Sequence, residues 1–479
     1  MTLKLFNSLS RSVEPFAPDE GGAVRVYGCG PTIYARAHIG NFRTFIVYDF
    51  LHRVLERKGW DVRFAVNFTD VDDKTIDGAA REGVALNDFT APLGEVFLQD
   101  METLGIKHFD VIPRATDHVE EMVQWIQRLE AAGLAYPAED GSVYFRISAF
   151  PKYGRLSGNR ADGDSGRSRI DADEYEKDDV RDFVLWKAAK DVDRQVGAVW
   201  ESPWGPGRPG WHLECSVLSI SCLGETLDIH LGGEDLLFPH HENEIAQSEG
   251  ATGRPFARFW LHTKHLRVEG RKMSKSLGNV FTVQDLLDKG HPPAAIRHLL
   301  ISAQYRKELN FTESGLEGSA RAVERLVALH RRLHHEVIED GGTEAGLAGL
   351  AETALASFDA ALDDDLNSSE ALAALFVFLK EVNGALDRSG GRAAPDELEA
   401  AREALAAMDR VLGLLEVALR MDVDDDQELA SWVEEMIAQR KEARASKDWG
   451  RADEIRDALA DRGVVLEDTA QGTRWKQGA

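Results

Sequence analysis

The chain begins with short apolar runs on either side of one amphipathic segment. Residues 24–27 and 62–68 form β-prone runs. Between them, residues 45–57 repeat apolar side chains at helical spacing, and Gly59 is placed to end that helix in a left-handed cap. The Gly-Cys-Gly-Pro loop at 28–31 cannot continue regular structure. The pattern predicts a βαβ unit whose first loop lies at the carboxyl end of a strand, where open parallel sheets bind ligands.

A different pattern interrupts this unit between about residues 115 and 210. A helical stretch at 118–132 precedes a hairpin-like stretch at 141–147. Strand-like runs resume at 226–231 and 257–262. We therefore predict an α/β fold with a Rossmann-type parallel-sheet domain that carries an insertion.

After about residue 305 the periodicity becomes helical. Residues 341–426 are rich in Ala, Leu and acidic side chains, which predicts a helical bundle with a solvated acidic face. The acidic run 422–426 reads as a linker, and two helices and a hairpin are predicted after it. The predicted domains are 1–305 (insertion at about 115–210, a lysine-containing loop region at about 260–305), 306–421, and a small C-terminal domain at 422–479.

Composition narrows the class of protein. The 479 residues include 82 acidic side chains and 56 Lys or Arg, for a net charge of −26, and 43% are hydrophobic, which excludes a mostly disordered chain. No apolar stretch is long enough to span a membrane, and the N-terminus lacks the apolar core of a secretory signal. The cysteines, Cys29, Cys215 and Cys222, are too few for a disulfide framework and favour a reducing cytoplasm. The acidity argues against simple affinity for membranes or nucleic acids, although a nucleic acid can meet a locally basic surface.

Two motifs with phosphate-binding chemistry lie far apart in the chain. His38-Ile39-Gly40-Asn41 opens the first helix, where the helix dipole favours anions and Gly40 lets backbone approach a ligand. A helix-capping histidine is the competing interpretation. Lys272 and Lys275 lie in a loop with small hydroxyl side chains and can bring ammonium groups to a polyphosphate. A solvated basic turn is the alternative there.

Together these motifs resemble the HIGH and KMSKS signatures of the class I aminoacyl-tRNA synthetases. Asn41 departs from the last His of the first signature, and an Asn side chain can donate a hydrogen bond to phosphate but carries no charge. Within the class, the chain is most similar to the cysteinyl-tRNA synthetase family over nearly its whole length. The segments that carry this resemblance are 27–34, 67–74, 210–216, 238–244 and 463–468.

The resemblance implies an ATP-dependent ligase that joins L-cysteine to tRNA(Cys) through cysteinyl-adenylate, with Mg²⁺ accompanying ATP. It also implies a C-terminal anticodon-binding domain, a monomer and a cytoplasmic location. Two alternatives remain open. One is a related ligase that joins cysteine to an amino sugar in mycothiol synthesis and lacks an anticodon domain. The other is a non-catalytic RNA-binding paralogue.

A zinc site is implied by the same resemblance. Cys29, Cys215, His240 and Glu244 are residue types that suit Zn²⁺, and His240 and Glu244 share one helix face. Spacing alone does not bring the four together; the resemblance implies that the fold does, with one Zn²⁺ per chain at the floor of the cysteine pocket. Zinc there would prefer a thiolate to the hydroxyl of serine. His241 as the ligand, core roles for the cysteines, and a purely structural zinc remain alternatives.

The resemblance also implies roles for the other site residues. Thr69 and Trp211 border the cysteine pocket. A loop at 232–235 lets backbone approach adenosine and offers carboxylates to ribose hydroxyls. Stabilisation of the ATP phosphates is the implied catalytic work. The residues expected at these sites are His38, Asn41, Lys272 and Lys275 (catalytic), His38, Gly40, Asn41, Gly232, Glu234, Asp235 and Lys275 (ATP), and Trp449, Asp448, Arg440 and Arg444 (anticodon).

Overall fold

The structure is a computed structural model in which the chain divides into two compact units, Met1–Leu415 and Glu416–Ala479. Each unit is described separately. The described residues are 2–18, 22–158, 181–273, 277–341, 344–445, 448–461, 464–469 and 472–477.

A four-stranded parallel sheet forms the centre of the first unit. Its strand order is β10-β9-β3-β4, and all three pairings are parallel, which confirms the predicted Rossmann-type sheet. The apolar runs of these strands are buried, as expected for a sheet covered on both faces. The strands are β3 (Val24–Gly28), β4 (Val62–Val66), β9 (Leu227–Gly233) and β10 (Ala257–Thr263).

Helix α1 (Ile39–Arg57) connects β3 to β4 and starts earlier than its apolar periodicity predicted. His38 is the N-cap, and it exchanges hydrogen bonds with Asn41 in a capping box. This cap offsets the poor helix propensity of Gly40 and Asn41. Gly59 follows the helix with φ of 77°, as the predicted left-handed cap requires.

A four-stranded antiparallel sheet, in the order β5-β6-β7-β8, lies between helices α4 and α6. A hairpin is present in β5 and β6, but it spans 135–145, so the stretch predicted at 141–147 contains only its turn and second strand. The elements from β4 to β9 are α2 (Asp73–Glu82), α3 (Leu86–Thr103), α4 (Val119–Ala131), β5 (Ala135–Pro137), β6 (Val143–Phe145), β7 (Phe183–Ala188), α5 (Asp191–Val196), β8 (Gly207–Pro209) and α6 (Trp211–Leu223).

The rest of the first unit is mainly helical, which confirms the predicted helical region. A π-helical turn (Leu237–His241) leads into α7 (Glu242–Thr252) beside the sheet. At the N-terminus, β1 (Lys4–Asn7) and β2 (Ser12–Pro15) form a hairpin. After β10 follow β11 (Leu266–Val268), β12 (Arg271–Lys272), α8 (Val283–Asp288), α9 (Pro293–Ile301), β13 (Leu309–Phe311), α10 (Glu313–Arg331), β14 (Ile338–Glu339), α11 (Leu347–Asp363), α12 (Ser368–Arg388), β15 (Arg392–Ala393) and α13 (Pro395–Leu412).

The second unit has a small core of its own, in which Val433, Ile455 and Leu459 are buried. The predicted linker at 422–426 is wrong, because this run lies inside α14 (Leu414–Ala445). The run contains neither Gly nor Pro, so a helix can propagate through it. The predicted second helix and hairpin are present as α15 (Trp449–Asp461), β16 (Val464–Thr469) and β17 (Gly472–Gln477).

The predicted domain limits at 305 and 421 stay predictions. Within the described part of the chain, no helix is both long and apolar enough to cross a membrane.

Candidate active site and metal centre

The four predicted zinc ligands converge at the carboxyl edge of the parallel sheet. Cys29 follows β3, Cys215 lies on α6, His240 lies in the π-helical turn, and Glu244 lies on α7. All four are buried, and their ligand atoms lie within 4.8 Å of one another. His240 Nε2 lies 2.9 Å from Glu244 Oε1 and 3.4 Å from Cys215 Sγ, and Cys29 Sγ lies 3.6 Å from Glu244 Oε1.

Two of these separations, 3.4 and 3.6 Å, match a tetrahedral metal ion, and the 2.9 Å between His240 Nε2 and Glu244 Oε1 is a hydrogen-bond distance that would lengthen on metal binding. Ligand bonds of about 2.0–2.3 Å place the donors of a tetrahedral zinc roughly 3.3–3.8 Å apart. Two thiols, one imidazole and one carboxylate also match the borderline-soft character of Zn²⁺. The residues present therefore fit the metal that the sequence suggested.

Close backbone packing holds Cys29 in place. The Tyr48 hydroxyl donates to the carbonyl oxygens of Cys29 and Leu231, at 3.1 Å each, and so joins the ends of β3 and β9. The Gly30 N–H donates to Asn67 Oδ1 at 2.9 Å. A Cβ at position 30 would lie only 1.5 Å from the carbonyl oxygen of Asn67, so only glycine fits.

Charge in the site is concentrated on three of the four donors. Burial opposes ionisation of Cys215, but the hydrogen bonds from Cys29 and His240 outweigh it and lower the pKa of the thiol to about 6. Burial also opposes the charge on His240, yet Glu244 and Cys215 raise its pKa to about 10. The pKa of Glu244 falls well below its usual range despite burial, because His230 and His240 lie beside it. Burial, reinforced by Cys215 and Glu244, raises the pKa of Cys29 well above its usual value. The Cys29 thiol would therefore have to lose its proton to serve as a thiolate ligand.

The structure adds His230, which the sequence did not single out, and brings His241 beside the same donors. His230 Nε2 lies 2.6 Å from Glu244 Oε2, and His241 Nε2 lies 3.3 Å from Cys29 Sγ. Cys29, His230, His241 and Glu244 form a second buried group with donors within 4.8 Å of one another. His241 had been an alternative to His240; both lie within reach of the cluster. His230 gave no sequence signal, because a lone His in an apolar strand is typical of a core residue.

Thr69 and Trp211, predicted for the cysteine pocket, lie beside this cluster. The Trp211 ring stacks on His240 with centroids 4.3 Å apart. Thr69 is buried, and its hydroxyl donates to Glu214 Oε2 at 2.8 Å. Glu214 is fully buried and was missed, although it directly precedes Cys215.

The two signature motifs meet at the N-terminus of α1. The Asn41 N–H donates to His38 Nδ1 at 3.2 Å, and the His38 N–H donates to Asn41 Oδ1 at 3.1 Å, so His38 does cap the helix. The Ile39 N–H donates to the carbonyl oxygen of Phe281 at 2.8 Å. A Cβ on Gly40 would lie 3.4 Å from Met273 Cε, so the second motif approaches the first.

The other residues predicted to bind ATP differ in exposure and in their contacts. Lys272 is exposed in β12, whereas Lys275 lies outside the described residues. Glu234 is paired with Lys264 and also accepts from the N–H of His265, at 3.1 Å. Burial opposes these contacts, but together they lower the pKa of Glu234.

Gly232 is positioned by packing next to the candidate metal ligands, and Asp235 follows it in the loop after β9. A Cβ on Gly232 would lie 2.8 Å from His241 Cε1, so this glycine is needed to make room for the histidine. Asp235 lies in a short 3₁₀ turn directly after β9.

The predicted anticodon residues lie in the second unit. Trp449 begins α15 and is 59% exposed. Asp448 accepts from the N–H of Arg451 at 3.1 Å. Arg440 lies near the end of α14 and is half-buried, and the side chain of Arg444 lies outside the described residues.

Comparison with known proteins gives the family. Residues 15–321 match the family described as tRNA synthetases class I (C) catalytic domain, residues 357–416 match the DALR domain, and residues 426–475 match the cysteinyl-tRNA ligase anticodon binding domain. Two similar relatives are named cysteine–tRNA ligase. They come from Koribacter versatilis (45% identity) and Solibacter usitatus (47% identity), and each alignment covers all of both chains.

Solved structures show the same fold at lower identity. Methionyl-tRNA synthetase of Mycobacterium tuberculosis in complex with methionyl-adenylate aligns with a TM-score of 0.60 at 18% identity, over 83% of this chain and 91% of that one. A putative arginyl-tRNA synthetase of Campylobacter jejuni aligns with a TM-score of 0.53 at 14% identity, over 82% of this chain and 93% of that one. The full-length similarity and the catalytic-domain match show that this chain is an ATP-dependent ligase and belongs to the cysteinyl-tRNA synthetase family of class I aminoacyl-tRNA synthetases.

Proposed function

We propose that the protein activates L-cysteine with ATP and transfers it to the 3′-terminal ribose of tRNA(Cys), as a monomer in the cytoplasm. The observation that carries the proposal is the buried cluster of Cys29, Cys215, His240 and Glu244 at the carboxyl edge of the sheet. The match of residues 426–475 to an anticodon-binding domain favours this reaction over ligation of cysteine to an amino sugar.

Selectivity for cysteine over serine is assigned to one Zn²⁺ held by these four side chains. When bound, the ion supplies a preference for a sulfur donor that an apolar pocket cannot supply, because serine has nearly the same shape. Trp211 and Thr69 border the pocket and orient the amino acid beside the cluster. Their contacts to His240 and Glu214 fix their positions before substrate binds.

In the first step, the cysteine carboxylate attacks the α-phosphate of ATP, and pyrophosphate leaves with the electrons of the broken P–O bond. This chemistry needs positioning and charge stabilisation more than a dedicated base. His38 and Asn41 lie at the N-terminus of α1, where the helix dipole favours phosphate. Lys272 and Lys275 neutralise the polyphosphate together with Mg²⁺, and Gly40 leaves space between the two motifs.

Adenosine binding is assigned to the loop after β9, where Gly232, Glu234 and Asp235 lie. In the second step, the 2′-hydroxyl of the terminal tRNA ribose attacks the acyl carbon and AMP leaves. Anticodon recognition is assigned to four residues of the second unit: Trp449, Asp448, Arg440 and Arg444.

The test is ATP–pyrophosphate exchange with cysteine and with serine, before and after metal removal by a chelator. We expect exchange with cysteine only, its loss on chelation, and its recovery on adding one equivalent of Zn²⁺. A Cys222→Ser variant is the matched control, because this half-buried cysteine lies outside the cluster. Exchange that survives complete metal removal would contradict the role of zinc, and the lack of any exchange with cysteine would contradict the reaction.

A further inference from the structure

The loop between β3 and α1 borders both halves of the proposed active site. It begins at Cys29, a candidate metal ligand, and ends at His38, which caps α1. Tyr34 lies between these two residues in the loop, and its side chain is 36% exposed. An aromatic ring is therefore accessible to a partner beside the region where cysteine and ATP are expected to meet.

Backbone hydrogen bonds hold this part of the loop against the predicted cysteine pocket. The Thr69 N–H donates to the carbonyl oxygen of Pro31 at 3.1 Å, and the Ile33 N–H donates to the carbonyl oxygen of Thr69 at 3.0 Å. Thr69 is one of the residues predicted for that pocket. Tyr34 directly follows the paired segment, so its backbone is fixed at the rim of the pocket.

Helix α2 brings a cation to the same ring. Lys74 lies in the first turn of α2, and its ammonium group lies 5.1 Å from the centroid of the Tyr34 ring, a distance at which the ring attracts a cation. The neighbouring Asp73 pairs with Lys187 at 2.7 Å, whereas Lys74 is exposed and forms no ion pair with any residue that the structure describes. Its charge thus remains available to an anionic partner.

An accessible ring with an ammonium group beside it suits single-stranded nucleic acid. An unpaired base stacks on an aromatic ring, and a nearby cation neutralises the phosphate of the same strand. In the proposed reaction, the terminal ribose of the tRNA must reach the acyl carbon of cysteinyl-adenylate. The unpaired 3′ end of the tRNA therefore has to enter beside the loop at 29–38, where this pair of side chains lies.

We propose that Tyr34 and Lys74 bind the unpaired 3′ end of the tRNA, with one base stacked on the Tyr34 ring and an adjacent phosphate beside the Lys74 ammonium group. This inference rests on the proposed aminoacylation and assigns residues to its acceptor. The two side chains take no part in making or breaking bonds. They hold the strand so that its terminal ribose lies at the acyl carbon.

The experiment measures the affinity of the full-length protein for two forms of tRNA(Cys), one complete and one without its unpaired 3′ nucleotides. We expect Tyr34→Ala to weaken binding of the complete tRNA roughly 5-fold to 150-fold, the loss expected for one base–aromatic stack. The same variant should bind the truncated tRNA as tightly as the unmodified protein does, because the stacked base is then absent. Tyr34→Phe should restore the affinity for the complete tRNA, since its ring still stacks.

Lys74→Gln tests the phosphate contact separately. Loss of one contact to a single strand should reduce the slope of log affinity against log salt concentration by about 0.7 for the complete tRNA and leave the slope unchanged for the truncated one. Lys380→Gln, at a side chain that is 78% exposed on α12, is the matched control. It removes the same charge and should affect the two forms of tRNA equally.

The outcomes separate this site from the proposed function. Equal effects of Tyr34→Ala on the two forms of tRNA, or no effect on either, would overturn the site and leave the aminoacylation proposal intact. Reduced ATP–pyrophosphate exchange in Tyr34→Ala or Lys74→Gln would instead assign the pair to cysteine or ATP. If Tyr34→Ala fails to fold, an unchanged salt slope in Lys74→Gln overturns the site. Lack of both exchange and aminoacylation in the unmodified protein would contradict the function itself.

Discussion

Gly30 shows how one missing side chain sets the geometry of the candidate metal centre. Its backbone lies against the backbone of Asn67, and a Cβ would lie 1.5 Å from the Asn67 carbonyl oxygen. Cys29 directly precedes it, so this close approach fixes where the Cys29 thiol points. A flexible side chain cannot absorb the clash, because the obstructing atom belongs to the backbone.

We therefore expect Gly30→Ala to destabilise the protein by about 1–3 kcal/mol and to lower its zinc content. Thermal unfolding and metal analysis of the purified protein measure the two effects. Gly318→Ala in α10 is the matched control, since nothing lies within 4 Å of the added Cβ, and the loss of chain entropy in the unfolded state should stabilise that variant by about 0.5–1 kcal/mol. Normal zinc content and stability in Gly30→Ala would show that the loop can move aside.

At the level of single residues, motifs in the sequence identified the four candidate metal ligands but not the buried residues that contact them. Cys29, Cys215, His240 and Glu244 were identified from motifs that resemble a known family. His230 and Glu214 were not, because their importance depends on distances between segments that are remote in the chain. His230 contacts Glu244, and Glu214 accepts from Thr69, which is 145 residues away.

At the scale of elements, apolar spacing predicted which segments are helices, whereas local hydrogen bonds decided where they begin. Residues 45–57 carried the periodic signal, but the capping box of His38 and Asn41 starts α1 at Ile39. At 422–426 the sequence pattern led to the wrong prediction, because a helix continues where a linker was expected. Acidity suggested a linker, yet nothing in that run breaks a helix.

Helices α9, α10 and α12 together enclose one half-buried ionisable group, His298. His298 of α9 lies with its Nδ1 2.9 Å from the hydroxyl of Ser319 on α10, and its ring meets the edge of Phe376. Burial lowers the pKa of His298 from 6.5 to about 4. The unfolded chain therefore takes up a proton at this histidine at a higher pH than the folded chain does.

Because of this difference in proton uptake, the stability of the folded chain should fall in mild acid. The contribution of the neutral His298 side chain to the free energy of unfolding is fully present above pH 6.5 and is lost as the pH falls towards 4. We expect His298→Gln, which can still bond to Ser319, to reduce the loss of unfolding free energy between pH 7.5 and pH 5 by about 2 kcal/mol at most. Urea unfolding at the two pH values measures it. His265→Gln, at a side chain that is 52% exposed, controls for the loss of one histidine. Equal pH dependence in the protein and in His298→Gln would contradict the assignment.

At the scale of the whole molecule, the net charge gives no indication that the partner is a nucleic acid. A chain with net charge −26 is expected to repel nucleic acid, and only the resemblance of local motifs pointed to tRNA. The α/β fold followed from the alternation of patterns along the chain. The long helix α14 did not follow from those patterns, because the acidic run inside it gave no helical periodicity of its own.

The two compact units predict that recognition and activation can be separated by mutation. Trp449 lies in the second unit and is 59% exposed, so its ring is accessible for stacking on an unpaired base. Because one base–aromatic stack contributes about 1–3 kcal/mol, Trp449→Ala should lower kcat/KM for tRNA(Cys) roughly 5-fold to 150-fold. Trp449→Phe should retain most of the activity, since its ring still stacks. ATP–pyrophosphate exchange should stay unchanged in both variants, because the residues proposed to bind cysteine and ATP belong to the first unit. An equal loss of exchange in Trp449→Ala would instead assign this tryptophan a structural role, and normal aminoacylation would remove it from the tRNA interface.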